Sequence, residues 1–324
     1  MEYRRLGRTG MKVSSVILGS WLTYGREVGQ EDCEAIVDRA IDLGINTIDT
    51  ADIYFRGQSE SALGDALEKY ERKRLVVASK VFWPMHDTDP NDRGLSRKHI
   101  LESIDESLYR LKMEYLDLYQ CHRFDTESDL RETVYAMEDL VRSGKIHYWG
   151  VSVWTGDQMR LATQIAREYG GYGPVSNQPQ YSMLSREIES DALPATIEER
   201  MGNIVWSPLA QGFLTGKYEK GKDAPEGSRL ANDRVNQFVK NFVTDENFTI
   251  LDQLKPIAAE VGCTIGQLAL AWCLHQPGIT SVIVGATKIK QIEENAAAAE
   301  VKLSASVLEK LALILAPKDP NAEA

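Results

Sequence analysis

The sequence predicts an α/β fold in which eight strand–helix units close a parallel (β/α)8 barrel of the TIM type. An N-terminal β-hairpin precedes the barrel, and a long loop and helical insertion separates its seventh and eighth strands. Three observations carry this expectation. Apolar, β-forming runs alternate with helical patterns through nearly the whole chain, the signature of parallel strands joined by crossover helices. Eight such units can be read, the number that closes a barrel. Ionisable residues stand at the C-terminal ends of three of the runs, INTIDTADIY (45–54), RLVVASKV (74–81) and YLDLYQCHR (115–123). Barrels of this kind do their chemistry at that end.

The chain opens with a hairpin signal over 3–6 and 12–13 around a turn from Gly7 to Gly10, and VSSVILGS (13–20) is the first barrel strand. Ala35, Ile36, Ala40, Ile41 and Leu43 recur at helical spacing over 30–43, and Gly44 stops that helix. INTIDTA is the second strand, with a helix over 59–70 behind it, and RLVVASKV is the third. Ser96 reads as the N-cap of a helix opened by His99 and ending near Leu111. YLDLYQCH is the fourth strand, and its helix over 129–143 is closed by Gly144. IHYWGVSV (146–153) is the fifth strand, with a helix over 156–169, and PVSNQPQY (174–181) is a shorter sixth, with a helix over 189–201. NIVWSPLA (203–210) is the seventh. The segment 211–279 then breaks the spacing with a Gly/Lys/Asp/Pro-rich loop over 212–232 and helical patterns over 244–261 and 265–275. Loops of that length inside a compact domain are usually functional or disordered. TSVIVGA (280–286) is the eighth strand, with a helix over 288–299. A last helix over 304–315 packs outside the barrel and leaves a polar tail. No Pro/Ser-rich linker interrupts the units, so one domain is expected over 1–324.

Composition narrows the function classes. With 43% hydrophobic and 26% charged residues the chain can bury a large core. A net charge of -11 argues against nucleic-acid binding, which needs a basic face, but leaves room for a small basic pocket. No apolar run approaches the roughly 18 to 20 residues that span a bilayer, and MEYRRLGRTGMKV lacks the apolar region of a signal peptide. Cys33, Cys121, Cys263 and Cys273 show no CxxC spacing and read as buried or incidental thiols in a reducing cytoplasm. The expectation is a cytoplasmic protein with no membrane partner.

Asp49, Tyr54, Lys80 and His122 are the candidate catalytic residues. Carbonyl reduction needs a proton donor for the developing alkoxide, and a phenol with a pKa of about 10 is a weak one. An ammonium beside it lowers that pKa, and a carboxylate behind the ammonium holds it charged and oriented. An imidazole polarises the carbonyl oxygen. No metal is required by this set. Singly, each residue has a plain structural reading: Asp49 as a turn cap, Tyr54 as a rim aromatic, Lys80 as a solvated strand end and His122 as a satisfied loop histidine. Their conjunction at successive strand ends is what points to a site.

The loops after strands seven and eight point to a phosphate-bearing ligand. WSPLAQGFLTGKY offers Ser207, Leu209 and Gln211, with Pro208 among them, for contact with a pyrophosphate. In VGATKIKQIEEN, Gly285 permits close approach, and the following helix offers its N-terminus to an anion. No GxGxxG follows the first strand, so a Rossmann unit is not the binding device. Trp21, Tyr24, Phe55, Trp83 and Trp154 fall in mouth loops as a candidate aromatic wall, with Arg56 and Arg123 nearby.

DTADIY followed by SESALGDAL, SKV at 79–81 and YLDLYQCHR together resemble the aldo-keto reductase family, and the likeness runs from YRRLGRTGMKVS to the last helix. RGLSRKHI, YWGVS, WSPLAQG and LAWCL bring it nearest to the potassium-channel β-subunit group and its bacterial aldehyde-reducing relatives. The resemblance implies NADPH-dependent reduction of a small-molecule carbonyl substrate, with Tyr54 as general acid. It also implies that Lys217, Ser228 and Arg229 approach the adenosine 2′-phosphate, and that Gly285, Thr287, Gln291, Glu294 and Asn295 line the adenosine half. Ser152, Gln178 and Trp206 would hold the nicotinamide half, with Ser20, Trp21 and Asp49 near it. Channel subunits of that group have asparagine where this chain has His122, which favours an enzyme. Where the group has arginine after its serine this chain has Val153, which removes one cofactor contact. The rival readings are an NADPH-binding channel-β-like subunit or redox sensor with slow turnover, and a barrel lyase or isomerase without nicotinamide. Self-association into a homo-oligomer is compatible with either.

Overall fold

A parallel strand inside a ring of helices is covered on both faces, so its residues must be apolar or satisfied. The computed structural model, which describes residues 1–25 and 28–316, meets that condition closely. Barrel strands β3 (Val16–Gly19), β4 (Thr47–Asp49), β5 (Val76–Val81) and β6 (Leu116–Cys121) are buried throughout. They continue as β7 (Ile146–Val151), β8 (Ser176–Asn177), β9 (Gly202–Val205) and β10 (Ile279–Val284). The ring closes by parallel pairing of β10 with both β9 and β3. Outside the ring, β1 (Tyr3–Arg5) and β2 (Lys12–Ser14) form the expected antiparallel hairpin.

Ile17, Val76, Ala78, Leu118, Val175 and Ile204 form one apolar cluster with Leu6 and Val13 of the hairpin. The hairpin therefore completes the barrel interior at its N-terminal end. Its turn requires glycine at position 7, where φ is +54° and an added Cβ would lie 2.5 Å from the Arg200 carbonyl oxygen and 2.8 Å from that of Val175. A second, larger cluster fills the space between strands and helices.

The helices start and stop where side-chain chemistry dictates. They are α1 (Gln30–Asp42), α2 (Gln58–Leu67), α3 (Arg97–Leu111), α4 (Leu130–Ser143), α5 (Gly156–Glu168), α6 (Ala192–Glu198), α7 (Gln237–Lys240), α8 (Asp245–Val261), α9 (Ile265–His275), α10 (Ile289–Ala297) and α11 (Ala305–Ile314). The Ser96 hydroxyl accepts from the His99 amide as expected, and Asp129 caps α4. Thr155 and Thr264 form reciprocal capping boxes with Gln158 and Gln267. Gly144 ends α4 in the left-handed conformation.

Three expectations need correction. The sixth strand shrinks to Ser176–Asn177, because Pro174 and Pro179 bring no amide to the ladder; Gln180 keeps only an isolated bridge to Trp206. The helix expected over 189–201 divides into a 3-10 turn at Glu187–Ser190 and α6. The loop expected over 212–232 contains 3-10 turns at Ala210–Thr215 and Arg229–Ala231. The polar tail beyond 316 lies outside the described residues.

Gly7→Ala tests the hairpin's sealing role. The methyl would push into the backbone beneath β8 and β9, and the variant should lose about 1–3 kcal/mol in urea unfolding. An unchanged midpoint would mean the hairpin is not packed as described.

Candidate active site

Asp49 ends β4, Lys80 stands one residue before the end of β5, and His122 follows β6 directly. Alternation along the strands turns these side chains toward the barrel mouth. Lys80 is fully buried, and each of its three N–H donors has a partner. It donates to Asp49 Oδ1 at 2.7 Å, to the Thr50 carbonyl at 2.6 Å and to Tyr54 Oη at 3.2 Å. Asp49 Oδ2 accepts from Gln178 Nε2 at 2.8 Å and from Gln120 Nε2 at 3.4 Å. Burial lowers the Lys80 pKa, but Asp49 and Tyr54 outweigh it and hold the pKa above the ordinary ammonium value.

Tyr54 departs from the sequence expectation. Burial raises its pKa above the usual phenol value, and the opposing pull of Lys80 and Arg123 only partly offsets this. Tyr54 thus holds its proton firmly, as an acid must before it donates. His122 meets Tyr54 edge-on, with ring centroids 5.8 Å apart. Burial, then Lys80 and Arg123, push its pKa well below the ordinary imidazole value, so the ring is neutral. Its Nδ1 has no partner among the described residues. Gln120 and Thr50 escaped the sequence reading. Gln120 was findable, since it shares a strand face with His122 two residues on.

These groups open onto a cleft of about 1010 Å³ that runs from Tyr54 and His122 to the loops after β9 and β10. Every expected cofactor residue lines it except Ser20. Ser20 is buried behind the wall, with its hydroxyl bonded to Thr50 Oγ1 at 2.8 Å. Trp21, Ser152, Gln178 and Trp206 lie on the lining with Asp49, and Ser207, Pro208, Leu209 and Gln211 continue it. The Ser152 hydroxyl donates to the Gln178 carbonyl at 2.8 Å, which fixes both. Lys217, Ser228 and Arg229 follow, then Gly285, Thr287, Gln291, Glu294 and Asn295. The aromatic wall is smaller than expected. Trp21, Phe55 and Trp83 face the cleft, whereas Tyr24 and Trp154 are core residues. Arg123 lines the cleft, but Arg56 is tied to Asp87 at 2.7 Å outside it.

Leu22, Phe55, Arg56, Val153, Ser207, Ala210 and Gln211 all take positive φ in loops leaving the C-terminal strand ends. Such backbone costs on the order of 1–3 kcal/mol per residue and gathers where function constrains the chain. Arg229 donates to the Gln211 side chain, which donates in turn to Ser207. Neither Lys217 nor Arg229 pairs with a carboxylate among the described residues. Burial lowers the pKa of both, and Arg229 adds repulsion at Lys217. Two cations without a carboxylate partner among the described residues line the same cleft as Gly285 and Thr287, which lead into α10, and suit a phosphate. A Cβ at Gly285 would meet protein atoms no closer than 3.5 Å, so the room left there faces the cleft. The thiols take no part: Cys121 is buried beside His122 with its pKa pushed up, and Cys33 is pushed up to about 12.

Barrel and cleft in this arrangement define a barrel protein with acid–base groups at its mouth and a long ligand cleft beside them. The model of the Aldo/keto reductase family matches residues 15–316, and the chain belongs to that family. It is 39% identical to a rice (Oryza sativa subsp. japonica) protein named "Probable voltage-gated potassium channel subunit beta", over all of this chain and 99% of the relative. An Arabidopsis thaliana protein of the same name is 38% identical over the same shares.

Lys80→Met should strand the Asp49 carboxylate without its cation and cost about 3–5 kcal/mol in urea unfolding. Asp49→Asn combined with Lys80→Met should recover most of that loss. An additive double variant would show that the pair is not coupled.

Proposed function

We propose that this protein reduces aldehydes or ketones to alcohols with NADPH, using Tyr54 as general acid. The observation that carries the reading is the bonded chain Asp49–Lys80–Tyr54 beneath a neutral His122 at the end of the cleft. A reduced nicotinamide, when bound, would be the source of the hydride that the carbonyl carbon receives. Tyr54 gives its proton to the oxygen, and Lys80 stabilises the tyrosinate left behind. Asp49 keeps Lys80 charged in a site where burial would neutralise it. Neutral His122 directs the carbonyl oxygen toward Tyr54. Ser152, Gln178 and Trp206 would hold the nicotinamide end, and Lys217, Ser228 and Arg229 the 2′-phosphate. The two unpaired cations support NADPH over NADH.

Tyr54→Phe should cut kcat/KM for aldehyde reduction by roughly 10²–10⁴-fold, the usual worth of a positioned proton donor. NADPH oxidation against a panel of aldehydes measures this, and full activity in the variant would remove Tyr54 from the role. Lys217→Ala with Arg229→Ala should weaken NADPH binding roughly 10- to 100-fold while leaving NADH nearly unaffected, in a fluorescence titration. The pH profile of kcat/KM should stay flat through about pH 6–9 and fall only as Tyr54 ionises above the ordinary phenol range. A break near about 6.5 would mean that His122 titrates in the free enzyme. The names of the plant relatives favour a second reading, a channel-associated subunit that holds NADPH. Tight NADPH binding with no turnover on any aldehyde would support it.

A further inference from the structure

We infer that Arg123 forms an anion subsite beside the reacting carbonyl, so that the preferred substrates are small aldehydes carrying a carboxylate or phosphate within a few bonds of the carbonyl. The inference rests on the reductase reading and specifies its substrate class. Among the described cleft-lining residues the cations are Arg123, Lys217 and Arg229. The last two belong to the stretch after β9, whereas Arg123 follows His122 directly, about 3.8 Å along the backbone from one Cα to the next.

Arg123 is half-buried, and its Nη1 donates to the His122 carbonyl at 2.6 Å. That bond uses one of the guanidinium's five N–H donors. Its carbon also sits 5.9 Å from the Trp83 ring centroid, against the aromatic side of the cleft. No carboxylate of the described residues neutralises it. Asp49 is engaged by Lys80, Glu294 faces Lys290 at 3.7 Å, and Glu187, the remaining acid on the lining, forms no ion pair with it. Lys80 and Asp49 cancel, and His122 is neutral. The reacting end of the cleft therefore carries one uncompensated positive charge, in the form of a fork that matches a carboxylate or phosphate. Trp21, Phe55 and Trp83 line the same cleft as that fork and Tyr54, and Arg123 is near enough to Tyr54 for their charges to interact.

Arg123 also feels Tyr54 electrostatically, so an arginine that only tunes the phenol must be told apart from one that binds substrate. Matched pairs do this: succinic semialdehyde against butanal for the carboxylate, and glycolaldehyde phosphate against glycolaldehyde for the phosphate. With the wild-type protein and NADPH, kcat/KM should favour at least one anionic member, and the preference should shrink as ionic strength rises. Arg123→Gln should lower kcat/KM for that anionic aldehyde roughly 10- to 100-fold more than for its neutral partner, mainly through KM. Arg123→Lys, which keeps the charge without the fork, should fall between. Quenching of tryptophan fluorescence by succinate or by inorganic phosphate, lost in Arg123→Gln, reads the same subsite without turnover. Equal losses on both members of each pair would overturn the subsite in favour of phenol tuning, as would a wild type that prefers the neutral aldehydes. Failure to reduce any of the four would sink the reductase reading itself.

Discussion

A single ammonium holds the candidate site together. Lys80 is sealed from solvent, and a lone cation in that position would carry a desolvation cost of several kcal/mol. The cost is offset because a carboxylate, a backbone carbonyl and a phenol converge on it from β4 and the loop beyond. Those three partners can meet only if β4 and β5 pair in the observed register, with Asp49 beside Ala78. A slip of one residue would turn Lys80 out of the barrel. Fold and chemistry are therefore specified by the same contact, and the glutamines on Asp49 extend it across the barrel to β6 and the segment after β8.

The cleft divides its electrostatics by position. At one end a compensated ion pair supports a phenol whose burial favours the protonated form and a histidine whose burial favours the neutral ring. At the other, Lys217 and Arg229 remain unpaired. The aldo/keto reductase family match rationalises why both ends sit on one barrel face: the strands supply rigid acid–base groups, and the loops after β9 and β10 supply reach. Ser207, Ala210 and Gln211 take positive φ in the loop after β9, where the backbone bends sharply toward the cleft.

Much of this was legible in the sequence, for definable reasons. Asp49, Lys80 and His122 sit at strand ends, where apolar run, alternation and terminus are all local signals. The cap at Ser96 is equally local. What escaped depends on three-dimensional packing. Trp21 faces the cleft while Tyr24, three residues on, is core, because the intervening Leu22 takes a left-handed turn that no periodicity describes. Trp154 is lost to the core beside Val153 for the same reason. Ser20 was expected at the cofactor but hydrogen-bonds Thr50 behind the wall. The direction of the Tyr54 shift could not be read from its neighbours' charges, since burial, the larger influence, is a property of the folded site. The sixth strand was overdrawn because its flanking prolines truncate the ladder.

The hairpin at the opposite end has a consequence for traffic. Leu6 and Val13 complete an apolar floor at the end of the barrel opposite the cleft. On the proposed reading, the proton that Tyr54 gives away cannot be replaced from below. It must arrive through the same doorway that admits the carbonyl compound and releases the alcohol. Refilling the acid and emptying the site then become successive events, and a slow-leaving alcohol would hold the enzyme in its deprotonated form. The seal at the floor thus imposes an order in time on what happens at the mouth.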